Sequence, residues 1–131
     1  MPASNPPTQV IGRRVWAIAE GYIPPASNGT TRELTSHETV CILNAASEPA
    51  HVEITVYFAD RAPAGPYRFT VDALRTRHLR FNDFNDPENV PKRTDFSSVI
   101  ASDVPIVVQH TRLDTRQEAL ALLSTMAHPV D

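Results

Sequence analysis

HVEITVYFAD (51–60) alternates without a break: Val52, Ile54, Val56 and Phe58 fall on one parity, His51, Glu53, Thr55 and Tyr57 on the other. A strand sends successive side chains to opposite faces. This period of two therefore predicts a strand with one apolar face and one wet face. The β-branched and aromatic residues that fill it suit a pleated surface. The segment decides the fold class, because the rest of the chain reads in the same period.

Upstream, RRVWAIAEGY (13–22) places Trp16, Ile18, Glu20 and Tyr22 on one face and Val15, Ala17 and Ala19 on the other, and Pro24-Pro25 ends it. HETVCILN (37–44) carries four consecutive apolar residues, Val40 to Leu43, which predicts a strand buried on both faces. Downstream, a Pro/Gly turn precedes Tyr67, Phe69 and Val71, and LRTRHLRF (74–81) is a further strand. Residues 82–91 form a turn-rich loop, and 95–101 and 104–113 are two more strand candidates. Residues 116–127 contain good helix formers in QEALALL, yet Leu120, Leu122 and Ser124 fit a last strand equally well. Short strands divided by Pro-rich turns predict an all-β, single-domain, jelly-roll-like β-sandwich. Residues 1–10 read as a flexible Pro-rich tail, 11–127 as the domain and 128–131 as a C-terminal tail.

A chain of 131 residues suffices for one core and not for two. Twelve prolines against four glycines agree with many short elements separated by stiff turns. The net charge of −3 argues against general polyanion binding, which draws on an excess of basic residues. Eleven of the twelve basic residues are nevertheless arginine, whose planar fork suits carboxylates and phosphates. A single cysteine, Cys41, excludes an internal disulfide and a thiolate zinc cluster. Neither a basic leader with an apolar run nor a stretch of about 20 apolar residues is present, so a cytoplasmic protein is expected.

The sharpest candidate site lies at the end of VPIVVQHTRLD (104–114). His110 and Arg112 share parity with Ile106 and Val108, so an apolar strand face runs out into an imidazole and a guanidinium. Such a face predicts a polar pocket at the rim of a core. Trp16 and Glu20, also on one face, would make an aromatic platform beside a carboxylate. In RFNDFNDP (80–87), Arg80, Asn82 and Asp83 could meet a polar ligand, although Asx turns account for the same residues. The missing glycine and oxygen spacing exclude a calcium loop.

Histidines 37, 51, 78, 110 and 128 lack metal-ligand spacing, and no catalytic triad, phosphate loop or dinucleotide fingerprint occurs. Neither a metal nor another cofactor is expected. Two alternatives to a binding protein remain open. One is a carbohydrate-active enzyme using Glu20 or Glu38 with His110. The other is a DNA-binding regulator using Arg75, Arg77 and Arg80.

Eight blocks carry a resemblance: WAIAEGYIPP (16–25), SHETVCILNA (36–45), HVEITVYFAD, GPYRFTV (65–71), RFNDFNDP, TDFSSVI (94–100), VPIVVQHTRLDTRQ (104–117) and ALLSTMA (121–127). Together they resemble the Anabaena sensory rhodopsin transducer family over residues 11–127. That resemblance implies a soluble, non-enzymatic cytoplasmic β-sandwich forming a cyclic homotetramer. Its function would be to relay a signal from the cytoplasmic face of a sensory rhodopsin or to sense a sugar-like small molecule. The matching polar positions, the implied ligand site, are Trp16, Glu20, His37, Glu38, Arg80, Asn82, Asp83, Gln109, His110 and Arg112. The chain departs from the family pattern at its ends, in the longer Pro-rich tail and in the terminal HPVD.

Overall fold

In the computed structural model, which describes residues 9–29 and 31–130, the alternation at 51–60 becomes a nine-residue strand whose even positions are sealed. Eight strands follow in chain order: β1 Arg13–Ile18, β2 His37–Asn44, β3 Ala50–Phe58, β4 Ala64–Val71, β5 Arg75–Arg80, β6 Phe96–Asp114, β7 Ala121–Met126 and β8 His128–Val130. Among the described residues, helix is limited to single 3₁₀ turns at Arg32–Leu34 and Phe81–Asp83. The expected all-β single domain is what forms.

All strand pairs are antiparallel and organised on β6. Its first half lies between β3 and β1, with β4 beyond β3 and β8 beyond β1. Its second half lies between β2 and β7, with β5 beyond β2. Residues 95–101 and 104–113 are thus not two strands but parts of one 19-residue strand. The gap between the two candidates, Ser102-Asp103, falls within a bulge that runs on through Val104 and Pro105. Partner Arg13 faces Ile106 while Val15 faces Ala101, so β6 carries extra residues at this point. Bulges let a strand bend and change sheets, and Pro105 is tolerated where the ladder is already interrupted.

The corner is held tightly. Trp16 Nε1 donates to the carbonyls of Ile106 and Arg13, both at 2.9 Å. Gly12 approaches so closely that a β-carbon there would stand 2.1 Å from the Ile106 carbonyl oxygen, and its φ is +102°. Only glycine fits.

One core fills the space between the two sheets. Trp16, Ile18, Val52, Ile54, Val56 and Ile100 come from one sheet, and Val40, Ile42, Leu79 and Val108 from the other. An aromatic group closes one side, with Phe84 centroids 4.9 Å from Tyr67 and 4.8 Å from Phe81.

Three local expectations change. β1 stops at Ile18, and Tyr22 rejoins the sheet only through an isolated bridge to Asp95. β2 is not buried on both faces, because Cys41 is half-buried and Leu43 is 42% exposed. Residues 128–130, read as a tail, form β8 against Val15, Trp16 and Ala17. The open choice at 116–127 resolves as strand β7, which stays exposed along its whole length. Of the proposed N-terminal tail, residues 1–8 lie outside the described residues.

Candidate functional site

Register builds the polar end of β6. Glu38 stands opposite Arg112, and Val40 stands opposite His110. Directly opposed residues project to the same face, so β2 brings a carboxylate between the imidazole and the guanidinium. Glu38 is fully buried and His110 is 1% exposed. Glu38 Oε1 is hydrogen-bonded to His110 Nε2. Its other oxygen accepts from Arg112 Nε and from the Tyr22 backbone N–H, each at 2.8 Å. Arg112 then reaches outward, its Nη2 donating to Glu20 Oε2 at 2.9 Å. The result is a chain of charged and polar groups from a sealed histidine to a carboxylate that is 65% exposed.

Burying a carboxylate is unfavourable unless its lone pairs find donors. Glu38 has three, and its own backbone N–H donates to Asn82 Oδ1 at 3.2 Å. Asn82 Nδ2 in turn donates to the Ser36 carbonyl at 3.0 Å, which ties the Phe81–Asp83 turn to the start of β2. Partial burial draws the Arg112 pKa down, but the carboxylates of Glu38 and Glu20 outweigh it and hold the guanidinium above its ordinary value. The guanidinium also lies 5.9 Å from the Tyr22 ring centroid, as does that of Arg116.

The expected site residues fall into separate places. Glu20, Glu38, His110 and Arg112 come together, with Asn82 supporting them. His37 points to the opposite face of β2 and bonds the Thr35 carbonyl through Nδ1 at 2.7 Å. Burial pushes its pKa below the ordinary histidine value, and the charges of Arg80 and Arg32 add to that. Arg80 donates to the Arg32 carbonyl, and Asp83 pairs with Arg32 at 2.7 Å. Gln109 is exposed between Cys41 and Met126.

Trp16 is the clear departure. At 5% exposure, with its N–H engaged at the β6 corner, it offers no open ring to a ligand. The aromatic platform is therefore absent, because β1 turns its even positions into the core. The imidazole is likewise sealed by Glu38, and does not border an open hollow. Sequence reasoning missed Tyr22, which supplies a backbone donor to Glu38 and a ring to Arg112. Its shared parity with Glu20 was the available signal.

Open hollows lie elsewhere. One of about 500 Å³ sits over β3, β4 and β6, bordered by the His51–Asp103 hydrogen bond and the Glu53–Arg68 ion pair. Another, of about 440 Å³, is lined by Glu20, Tyr57, Phe58, Asp95 and Ser97. Among the described residues, no group of three or more His, Cys, Asp or Glu side chains could hold a metal. No helix among them is long and apolar enough to cross a membrane.

Comparison with known proteins gives concordant results. The family model described as "Anabaena sensory rhodopsin transducer" matches residues 11–129. A solved structure described as "Anabaena sensory rhodopsin transducer" is 65% identical, with a TM-score of 0.70, over 78% of this chain and 99% of that one. The crystal structure of Thermotoga maritima 1070 is 32% identical, with a TM-score of 0.81, over 92% and 97% of the two chains. No curated protein matches.

Proposed function

Because this chain belongs to the Anabaena sensory rhodopsin transducer family, we propose that it is a non-enzymatic relay that binds the cytoplasmic face of a sensory rhodopsin as a homotetramer. The observation that carries this reading is the continuous path Glu20–Arg112–Glu38–His110, which joins an exposed carboxylate to the centre of the core. A partner that draws on Glu20 alters the field on Arg112 and, through Glu38, on β2 and β6 together. Glu38 and His110 occupy one another and are covered, an arrangement suited to holding two strands in register and poor for meeting a substrate bond. Self-assembly is supported by β7, where Leu122, Leu123 and Met126 are exposed on a strand at the sheet edge, a surface that soluble proteins cover or pair.

The test is titration of the full chain against a microbial sensory rhodopsin in lipid nanodiscs, in darkness and under illumination. Saturable binding that changes with light, and that loses its light dependence in Arg112→Ala, supports the relay. Absence of binding in both states overturns it.

A second reading, sensing of a sugar-like small molecule, draws on the hollow over β3, β4 and β6, where polar and charged side chains flank an apolar floor. A thermal-shift screen against sugars and sugar phosphates tests it, since a ligand that binds only the folded state raises its stability. A flat response across the panel removes it.

A further inference from the structure

We infer that the hollow beside Glu20 receives an arginine or lysine side chain of the membrane partner, in competition with Arg112; this rests on the relay reading above. The hollow forms where the ends of β1 and β3 meet the start of β6, and its volume is about 440 Å³. Its lining carries the carboxylates of Glu20 and Asp95 and no basic side chain, a local charge of −2.

Much of its polar capacity is free. Only one oxygen of Glu20 is engaged, by Arg112. Among the described residues, neither the Asp95 carboxylate nor the Tyr57 hydroxyl has a partner, and Tyr57 is 43% exposed. The adjoining Phe58 ring already accepts the Arg61 guanidinium at 5.0 Å, while Arg61 itself is neutralised by Asp60. A carboxylate pair beside aromatic rings is the combination that holds a cationic side chain. Gly21 packs flush against the Phe96 ring at the edge of the hollow, where a β-carbon would lie only 2.5 Å from it.

Charge complementarity selects the occupant. Cytoplasmic loops of membrane proteins are enriched in Lys and Arg, so an acidic hollow of this size suits the surface such a partner presents. Binding there has a built-in consequence. A cation on Glu20 weakens the hold of that carboxylate on Arg112, and Arg112 then falls back on the buried Glu38. The hollow is the entry point of the relay.

The probe is a tetra-arginine peptide titrated into the full-length protein and followed by ¹⁵N NMR, with tetra-glutamate as control. The expected result is saturable shifts at residues 19–21, 57–59 and 95–97 and at the Arg112 Nε–H. Affinity should fall about fivefold in Glu20→Gln and further in Glu20→Gln/Asp95→Asn. Spectra elsewhere in the chain should remain unchanged, which reports an intact fold. Shifts spread over all acidic surfaces, insensitivity to both variants, or the same pattern from magnesium chloride alone would each overturn the inference. The same variants titrated against the rhodopsin separate the two ideas. Undiminished rhodopsin binding rejects the hollow and leaves the relay standing. Localised peptide binding without any rhodopsin binding rejects the relay and retains the hollow as a basic-peptide site.

Discussion

Glu38 is the residue on which the polar end of the core depends. A fully buried carboxylate that loses one partner keeps its desolvation penalty without compensation, which in proteins amounts to roughly 3–5 kcal/mol. His110→Ala and Arg112→Ala should each therefore destabilise the fold strongly, the first more because Glu38 Oε2 keeps the Tyr22 N–H when Arg112 is lost, whereas Oε1 has His110 alone among the described residues. Urea denaturation of both variants measures this, and a loss below about 1 kcal/mol for His110→Ala would contradict the pairing. His37 supplies a pH dependence of known sign. Its folded pKa lies below the ordinary value of 6.5, so the unfolded chain takes up a proton first as pH falls. Its contribution is intact above pH 6.5 and is lost as pH drops through the folded value. Urea midpoints taken between neutral and mildly acidic pH should fall less in His37→Gln than in the parent. Equal falls would show that His37 does not contribute.

The strand that matters most is β6, because it serves both sheets and turns a corner between them. That corner has two supports that substitution separates. Trp16→Phe keeps the ring in the core and removes the N–H that two carbonyls accept, a loss of about 1–3 kcal/mol. Gly12→Ala collides with the Ile106 carbonyl and strains a left-handed backbone, for at least about 2 kcal/mol. Thermal unfolding of both variants measures these losses. Wild-type stability in Gly12→Ala would show that the backbone at Gly12 does not stand against the Ile106 carbonyl. By contrast, Ser98 buries a hydroxyl that has no hydrogen-bond partner among the described residues. Ser98→Ala should be neutral or slightly stabilising, since it removes an unsatisfied group.

Over the whole molecule, the exposed face of β7 is the feature that a lone chain leaves unexplained. Leu122 is 69% exposed and Met126 53%, and both stand on the same face of an edge strand. If the proposed tetramer uses this face, placing charge there should break it. Leu122→Glu/Met126→Glu should shift the species seen in light scattering from tetramer toward monomer or dimer without loss of the strand spectrum. A wild-type chain that is monomeric at micromolar concentration, or a variant that remains tetrameric, would move the interface elsewhere. The same variant titrated against the rhodopsin reports whether assembly is needed for binding.

Alternation alone determined much of this protein. The period of two at 51–60 was enough for a strand with Val52, Ile54 and Val56 inside, and the parity of 106–112 correctly placed His110 and Arg112 on the core side of their strand. Both follow from local backbone geometry, which a sequence carries directly. The blocks shared with the family were legible for the same reason, being contiguous in the chain. Which strand lies beside which was not. The pairing of Glu38 with Arg112 joins residues 74 apart, and it converts an expected open pocket into an ionic path sealed at its inner end. Trp16 became part of a corner because Ser102 to Pro105 bulges within one strand where two separate strands were expected. β8 formed because β1 had an open edge to offer. Each of these outcomes depends on which distant backbone supplies the hydrogen bonds, and only the folded chain brings those partners within reach.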